Sequence, residues 1–368
     1  MERGELAAWF RLLETPGVGR AAARQLLGEF GSPDAVLGAS RGALSGIAGP
    51  AVATALGNEP AGFSERLAGL FEWLDRADSE TREVLALGDP RFPDALLHSG
   101  DPPLLLYVRG RLDLLGASSL AVVGSRNPTA QGLENARAFA AHLSHAGLTI
   151  VSGLALGIDG AAHEGGLEGK GSTIAVVGTG LDRVYPARHR KLAHRIAEAG
   201  VIVSEFAIGT PALPEHFPVR NRIIAGLSRG TLVVEAALQS GSLITARLAA
   251  ECGRDVFAIP GSIHSPQARG CHLLIKQGAK LVDSAADILE EYAAVPLAGV
   301  GAARAKAGAT AKEEPVLAAL GFDPIGLDAL VARTGQAPAA LLARLLDLEL
   351  EGRVVRQPGQ VFQRVERG

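Results

Sequence analysis

Cysteine and long apolar stretches are both scarce in this sequence of 368 residues. The two cysteines, Cys252 and Cys271, lie in no Cys-x-x-Cys pair and at no Cys/His spacing typical of zinc ligands. The sequence therefore predicts neither a disulfide framework nor a metal site. The longest stretch without Asp, Glu, Lys or Arg, residues 138–158, has the ~20 residues of a membrane-spanning helix but is interrupted by His142, His145 and several glycines and serines, and the N-terminus has no apolar signal core. We expect a cytoplasmic protein with buried, reduced thiols and no membrane partner.

Aromatic residues make up only 4% of the chain, and neither sign of charge is in large excess, since 36 Lys and Arg face 39 Asp and Glu. The formal net charge is −3, so a nucleic acid would have to bind at a local patch and not through the field of the whole protein. The hydrophobic content of 47% excludes a disordered chain, and the length predicts two or three domains.

Short apolar runs alternate with helix-like stretches through the middle of the chain. Uninterrupted β-branched strands between helices are typical of a parallel sheet buried on both faces. Residues 83–291 are therefore expected to form an extended Rossmann-like, doubly wound α/β domain with a mostly parallel sheet. Its strands are predicted at Leu120–Val123, Leu148–Val151, Thr173–Val177, Val201–Val203, Thr231–Val234, Asp255–Ile259 and Lys280–Val282, with extra strands at Val84–Leu87 and Leu104–Val108 on one side.

Residues 1–82 are predicted to form short helices separated by glycine turns. The turns around Gly17-Val18-Gly19 and Gly46-Ile47-Ala48-Gly49 are each followed by a helix, an arrangement that resembles paired helix-hairpin-helix (SAM-like) units. In such units backbone amides and a helix N-terminus face a phosphate. The segment is net acidic, so a small helical bundle without DNA contact stays an equal alternative.

The C-terminal part of the chain is expected to contain a linker and a small domain. Residues 292–312 are rich in Ala and Gly and lack periodicity, which is typical of a flexible linker. Residues 313–368 have the pattern of three short helices and a hairpin, which predicts a winged helix with Ala339–Leu350 as its recognition helix. Arg344 is the only cation of that helix, so a contact with protein or a structural role is as plausible as reading a DNA groove.

The first clear strand of the predicted sheet ends in Gly124-Ser125-Arg126-Asn127. Glycine permits close approach of the backbone, the serine and the following amides suit an anionic oxygen, and arginine can grip a phosphate with two hydrogen bonds. The segment lacks the Gly-x-Gly-x-x-Gly spacing of a dinucleotide site. The sequence therefore predicts a phosphate pocket and no cofactor.

Three further loops are expected at the same sheet edge, because parallel strands all end there. They contain Gly153, then Arg220-Asn221-Arg222 after Phe217, then Ser240-Gly241-Ser242 at a helix N-terminus. His163 with Asp159 four residues earlier is interpreted as a structural hydrogen-bonded pair. Glu205 and Glu235 are not adjacent to an obvious nucleophile, so no catalytic residue is assigned.

These loops together resemble the DprA (also called Smf) family of bacterial DNA-processing proteins over about residues 88–283. The resemblance is carried by LAVVGSRNPTAQG, VSGLALGIDGAAHEGGL, FPVRNRIIAGLSRGTLVVEAALQSGSLITARLA, GRDVFAIPGS and GCHLLIKQGA. It implies a protein without enzymatic activity that binds single-stranded DNA and loads RecA onto it in natural transformation. It assigns DNA contact to Gly124, Ser125, Arg126, Asn127, Arg220, Asn221 and Arg222, with Gly153, Ser240, Gly241 and Ser242 as lining and Phe217 stacking on a base.

Two further expectations accompany the resemblance. Members of the family often have a basic residue shortly before the position of Phe217, where this chain has Pro214 and Glu215; the basic stretch Arg183, Arg188, Arg190, Lys191 and Arg195 would replace that contact or form a solvated helix face. A homodimer is also implied, and the surplus of large apolar groups at Leu273, Leu274 and Ile275 marks a candidate surface for the second copy and for RecA.

Alternative functions remain at this point. Rossmann-like proteins of the lysine-decarboxylase-like family hydrolyse nucleoside monophosphates with a Pro-Gly-Gly-x-Gly-Thr loop, and here the region reads Gln239-Ser240-Gly241-Ser242-Leu243-Ile244-Thr245. This segment keeps a loop suited to an anion but lacks the combination of that loop with a glutamate-bearing helix. A scaffold with a vestigial nucleotide pocket is the third alternative. The terminal domains would add duplex contacts if their helix-hairpin-helix turns bind DNA.

Overall fold

A computed structural model describes residues 1–77, 80–293 and 314–365. The chain divides into two compact units, one made of Met1–Ala117 and Ile174–Leu227, the other of Ser118–Thr173 and Ser228–Gly368. The predicted linker over 292–312 lies, apart from its first two residues, outside the described residues. Those two belong to the end of a helix.

Helices and strands are numbered here in chain order. The helices are α1 Arg3–Glu14, α2 Arg20–Phe30, α3 Pro33–Gly38, α4 Arg41–Ala48, α5 Pro50–Leu56, α6 Phe63–Leu74, α7 Asp94–Leu97, α8 Ala130–His145, α9 Ile158–Gly166, α10 Arg190–Ala199, α11 His216–Leu227, α12 Ser242–Glu251, α13 Arg269–Lys276, α14 Ala285–Ala293, α15 Pro315–Leu320, α16 Leu327–Thr334 and α17 Pro338–Leu350. The strands are β1 Arg82–Ala86, β2 Leu105–Gly110, β3 Ser119–Val123, β4 Thr149–Ser152, β5 Thr173–Val176, β6 Val201–Ser204, β7 Gly230–Val233, β8 Asp255–Ala258, β9 Lys280–Leu281, β10 Ile325–Gly326, β11 Val354–Gln357 and β12 Val361–Arg364.

Helices α1 to α6 confirm the helical N-terminal region. Serine side chains begin two of them, because Ser32 accepts a hydrogen bond from the Ala35 amide and Ser40 accepts one from the Ala43 amide. Gly31, at φ +79°, ends α2 in the left-handed conformation that glycine adopts without steric cost. Buried Phe10, Leu12, Leu26, Leu70 and Trp73 supply the apolar faces of three of these helices.

In the first unit the strands follow the order β1-β2-β6-β5. The β5–β6 pair is parallel, whereas β2 is antiparallel to both β6 and β1. The two extra strands predicted upstream of the α/β region are therefore confirmed, and they extend the sheet on one side.

In the second unit the strands follow the order β4-β3-β7-β8-β9, and each neighbouring pair is parallel. Alternate strand residues such as Leu120 and Ile150 pack with residues of α8, α9 and α14 in one core. The intervening residues Ala121, Val123 and Val151 are buried as well. Because successive strand side chains point to opposite faces, both faces of the sheet are covered. The predicted doubly wound, mostly parallel sheet is confirmed.

The C-terminal part of the second unit is a winged helix, as predicted. Helices α15, α16 and α17 enclose an apolar core with the antiparallel sheet β10-β12-β11. Arg344 of α17 forms an ion pair with Glu314 at 3.0 Å, while Leu346 and Leu350 of the same helix are exposed. This surface suits a protein contact better than a phosphate backbone.

The environment of the two thiols differs from the prediction for one of them. Cys271 is buried, and burial raises the pKa of its thiol to about 12. Cys252, near the end of α12, is only half buried, so the prediction of two buried thiols is wrong for Cys252.

Within the described ranges, no helix has the length and apolar character needed to cross a bilayer, and no group of three or more His, Cys, Asp or Glu could hold a metal ion.

Candidate nucleic-acid interface

The segment after β3 is a tightly held turn. A Cβ on Gly124 would lie 2.7 Å from Ile158 Cγ1 and 2.9 Å from the carbonyl oxygen of Glu235, so only glycine fits there. The Ser125 amide donates to that same carbonyl at 2.8 Å, and the Ser125 carbonyl accepts from the Ile158 amide at 3.1 Å. The turn is thus fixed from two sides by backbone hydrogen bonds.

This turn presents Arg126 and Asn127 to solvent. Both side chains are exposed, whereas Ser125 is partly buried and its Oγ accepts a hydrogen bond from the Asn127 amide at 3.1 Å. The Asn127 amide, which the sequence analysis offers to an anion, is therefore already used within the turn. A guanidinium on a rigid turn suits a phosphate, because the backbone is already ordered and binding restricts only the rotamers of the arginine side chain.

Two buried side chains fix the loop after β4. Asp159 Oδ2 accepts from the amides of Gly153 at 3.1 Å and Ala155 at 3.3 Å. His163 Nε2 accepts from the Leu154 amide at 3.2 Å, and its Nδ1 lies 2.7 Å from Thr173 Oγ1. Leu154 is held at φ +59°, a left-handed conformation unusual for leucine. Asp159 and His163 therefore each have a structural role, as predicted, whereas the hydrogen bond expected between the two side chains stays a prediction. The Gly153 amide is engaged by Asp159.

Glu235 stabilises the start of α8. Its Oε1 accepts from Thr129 Oγ1 at 2.6 Å and its Oε2 accepts from the Thr129 amide at 3.0 Å. A Cβ on Gly132 would collide with this carboxyl group, so a glycine is needed at position 132 for Glu235 to lie there. A carboxylate near a helix N-terminus is electrostatically favoured. These contacts give Glu235 a structural function.

The loop before α12 carries the second group of predicted residues in this unit. Ser240 Oγ lies 2.7 Å from Ser242 Oγ and accepts from the Ser242 amide at 3.3 Å. Gly241 is exposed, with open space where a Cβ would lie. The amides of Ser242, Leu243 and Ile244 at the start of α12 are already bonded within the chain, and Ser242 is buried. A ligand would therefore meet this segment at exposed Gly241 and half-buried Ser240.

The residues Phe217, Arg220, Asn221 and Arg222 lie in helix α11 of the first unit. Their sequence predicts a loop, and this prediction is wrong. Pro218 signals a break, but it is the third residue of the helix, where its missing N–H costs no intrahelical hydrogen bond. Helix α11 buries Arg220, whose guanidinium donates to the carbonyl of Val176 at the end of β5.

Arg222 belongs to a cluster of charges that the sequence analysis does not anticipate. Its Nε donates to Asp101 at 2.9 Å, and its two terminal nitrogens donate to Glu205 at 3.0 and 2.6 Å. Arg20 and Arg24 of α2 also form ion pairs with Asp101, and Arg20 lies 3.5 Å from Glu205. The group Arg20, Arg24, Asp101, Glu205 and Arg222 is called the ion cluster below.

The ion cluster keeps Asp101 charged. Burial of Asp101 raises its pKa, but hydrogen bonds from Arg222 and Arg24 and the charge of Arg20 outweigh burial and lower the pKa to about 2. Glu205 is only 7% exposed and shares a bidentate contact with Arg222. Arg222 is thus largely neutralised by its own neighbours. No local signal marks these pairs, because Asp101 and Arg222 are 121 residues apart in the chain.

Aromatic rings surround the start of α11. Phe217 packs over Gly178, where a Cβ would lie 3.3 Å from its ring. The ring centroids of Phe217 and Tyr185 are 5.4 Å apart, and His216 stacks on Phe206 at 4.0 Å. The sequence analysis names Phe217 but misses Tyr185, although an aromatic residue inside a basic stretch is a signal that could have indicated it.

The surface predicted for a second copy is only partly exposed. In α13, Leu273 is 37% exposed, Ile275 is half buried, and Leu274 is buried in the unit. Leu274 therefore belongs to the core and cannot carry an interface without rearrangement. Exposed Leu238 and Leu273 line one apolar groove together with Leu243 and Ile244.

Family models and curated relatives match most of the chain. A model described as DNA recombination-mediator protein A matches residues 83–293, and one described as DprA winged helix domain matches residues 300–360. Protein Smf of Escherichia coli is 44% identical over 295 residues, which cover 78% of this chain and 78% of that protein. The DNA processing protein DprA of Streptococcus pneumoniae is 46% identical over 233 residues, which cover 63% of this chain and 82% of that protein.

Solved structures are similar as well. The X-ray structure of DNA processing protein A from Streptococcus pneumoniae matches with a TM-score of 0.68 and 39% identity, covering 79% of this chain and 98% of that one. A structure of DNA processing protein A from Helicobacter pylori, described for its single-stranded DNA binding mode, matches with a TM-score of 0.53 and 29% identity. It covers 59% of this chain and 97% of the other.

Proposed function

The chain belongs to the DNA recombination-mediator protein A (DprA) family, and from this premise we propose that it binds single-stranded DNA and loads RecA onto it during natural transformation. The function is one of binding and delivery, without a catalytic step, and it is exercised in the cytoplasm. The observation that carries the proposal is the rigid turn after β3, which displays Arg126 and Asn127 on a backbone held at Gly124 and Ser125.

Two groups of residues are proposed to contact the DNA. In the second unit, Arg126 binds a phosphate, and Ser240, Gly241 and Ser242 line the place of a second one. Gly153 stays a predicted lining residue, although it is buried and its amide donates to Asp159. In the first unit, Phe217 stacks on a base, and Asn221 lies on the same helix. Phosphate contacts combined with an aromatic platform are typical of proteins that bind single strands without reading sequence.

The roles of Arg220 and Arg222 are proposed in a modified form. The contact of Arg220 with the end of β5 and the position of Arg222 in the ion cluster favour a structural role, in which both arginines hold α11 so that Phe217 and Asn221 face the DNA. Direct phosphate contact by these two arginines stays a prediction, which the salt dependence of DNA binding distinguishes from the structural role.

The hydrolase alternative is disfavoured because the candidate acid and base side chains already have hydrogen-bond or ion-pair partners within the protein. A hydrolase of nucleoside monophosphates needs a carboxylate or imidazole available to the substrate. Glu235 is engaged at the start of α8, Glu205 is engaged in the ion cluster, and both ring nitrogens of His163 are within hydrogen-bond distance of protein atoms. These contacts support a binding function for the chain.

We expect the full chain to bind single-stranded DNA more tightly than duplex DNA of the same length. The proposed contacts use a base face and loops at strand ends, and a duplex hides its base faces in the stack. A fluorescence-polarisation titration with both oligonucleotides over a series of salt concentrations measures this preference. Equal or tighter binding of the duplex would contradict the proposal, and hydrolysis of nucleoside monophosphates in the same samples would favour the enzyme alternative.

We further propose that the chain forms a homodimer through α13 and that the same surface is used for RecA. Leu273→Arg should convert the dimer to a monomer, because it places a charge on the exposed part of an apolar groove. Light scattering at micromolar concentration measures the mass. Leu133→Arg, which changes a leucine of similar exposure (40% against 37%) on α8, is the matched control. A wild-type protein that is only monomeric, or a dimer that survives Leu273→Arg, would remove this proposal.

A further inference from the structure

A basic segment with an exposed aromatic ring lies next to Phe217 in the first unit. Between residues 183 and 195 the sequence has five cations and no carboxylate, in a chain whose net charge is −3. The cations all have exposed side chains and are Arg183, Arg188, Arg190, Lys191 and Arg195. This run is called the basic segment below.

The buried residues of the helix in this segment are apolar. Helix α10 buries Leu192, Ala193, Ile196 and Ala197 and turns its charged residues outward. Arg183 lies 3.3 Å from Asp182, a carboxylate that also accepts from the Gly209 amide at 2.8 Å. An exposed pair of this kind contributes little to stability. A concentration of exposed like charge favours an anionic partner.

Tyr185 lies inside the basic segment and exposes 53% of its surface. Its ring contacts Phe217 at a centroid distance of 5.4 Å and an interplanar angle of 33°, and Phe217 in turn packs over Gly178 beyond the end of β5. The tyrosine ring is therefore supported on one side by the tilted ring of Phe217, whose Cδ1 edge lies nearest to Gly178. Such a supported ring, open on its outer face, is a platform for a planar group.

We propose that Tyr185 is a second base-stacking platform and that the basic segment binds the phosphates beside it, so that single-stranded DNA continues from Phe217 over this surface. The proposal rests on the proposed single-stranded DNA binding and names an additional subsite for it. A single strand offers unstacked bases and regularly spaced phosphates, which complement a ring flanked by arginines. A duplex offers the phosphates only, and an acidic peptide offers charge without a planar partner for the ring.

The test uses the full chain and fluorescence polarisation with a labelled oligothymidine. Tyr185→Ala should weaken binding by roughly 5- to 150-fold, the loss that corresponds to one stacked base. Tyr185→Phe should bind like the wild type, because the ring is kept. Phe322→Ala, which removes an aromatic ring of similar exposure (49%) from the winged helix, should also bind like the wild type. Circular dichroism checks that each variant is folded.

A second measurement separates stacking from general anion binding. An oligothymidine with abasic positions keeps every phosphate but lacks bases to stack. The wild type should therefore bind it more weakly than intact oligothymidine. Wild type and Tyr185→Ala should bind the abasic oligonucleotide with similar affinity. A decaglutamate peptide should compete poorly with DNA. The stacking proposal would be overturned if the peptide competed as well as DNA does. It would also be overturned if Tyr185→Ala lowered the affinity for abasic and for intact DNA by the same factor.

The failure of this inference is distinguishable from failure of the proposed function. If Arg126→Ala weakens binding of single-stranded DNA while Tyr185→Ala does not, the subsite is wrong and the proposed function stands. If the wild type has no preference for the single strand, both are wrong.

Discussion

Replacement of Arg222 by alanine is expected to lower the free energy of unfolding by about 3 kcal/mol. Removing one partner of a buried ion pair leaves the other charge without compensation, and such losses are about 3–5 kcal/mol. Glu205 would keep Arg20 at 3.5 Å as an ion-pair partner, and Asp101 would keep both Arg20 and Arg24. These remaining contacts place the expected loss at the lower end of the range.

Urea unfolding followed by circular dichroism measures this loss, with the slope of the transition compared between variants. Arg247→Ala is the matched control, because Arg247 forms an exposed pair with Glu251 four residues later on α12 at 3.5 Å. Its removal should change the free energy of unfolding by less than about 0.5 kcal/mol. A loss for Arg222→Ala no larger than that of the control would show that the ion cluster does not hold the first unit together.

The same variant separates two roles of Arg222 in DNA binding. If Arg222 contacts a phosphate, its removal should flatten the plot of log affinity against log salt by about 0.7, the coefficient for one contact with a single strand. If it positions α11 through Asp101 and Glu205, affinity falls while this slope stays near the wild-type value. We expect the second result in the folded variant, since the two carboxylates already neutralise the guanidinium.

The sequence predicts the elements whose signal is local. Runs such as Leu120–Val123 and Thr231–Val234 are short, rich in β-branched residues and mostly apolar, which is typical of a strand covered on both sides, and the structure has β3 and β7 there. Helix α11 is the exception among the site elements. Phe217-Pro218 has the appearance of a loop, but the first turn of a helix accepts proline, so the local signal does not distinguish the two.

The contacts that decide the roles of site residues are not local and could not be predicted. Glu235 contacts Thr129, 106 residues earlier, and the carboxylates on Arg222 come from Asp101 and Glu205. Without the fold, an arginine that binds phosphate and an arginine that closes an internal ion cluster have the same appearance. The glycine at 124 is the opposite case, since its need for close backbone approach is correctly predicted from its place at a strand end.

Replacement of Arg126 by alanine is expected to weaken single-stranded DNA binding by roughly 10- to 100-fold, whatever the base sequence. A charge-assisted hydrogen bond contributes about 1.5–3 kcal/mol, and a phosphate contact does not depend on the base. The salt plot should also flatten by about 0.7. Because Arg126 is exposed on a turn fixed by backbone hydrogen bonds, its removal should leave the free energy of unfolding nearly unchanged.

Arg333→Ala in the winged helix is the control for this measurement, since Arg333 donates to the Ala319 carbonyl at 3.1 Å within its own domain. Affinity and salt slope should both stay at wild-type values in this variant if the α/β region holds the principal site. Unaltered affinity in a folded Arg126→Ala variant would move the site to the terminal modules. It would also leave the turn after β3 to a small nucleotide ligand, and hydrolysis of nucleoside monophosphates would then be the next activity to measure.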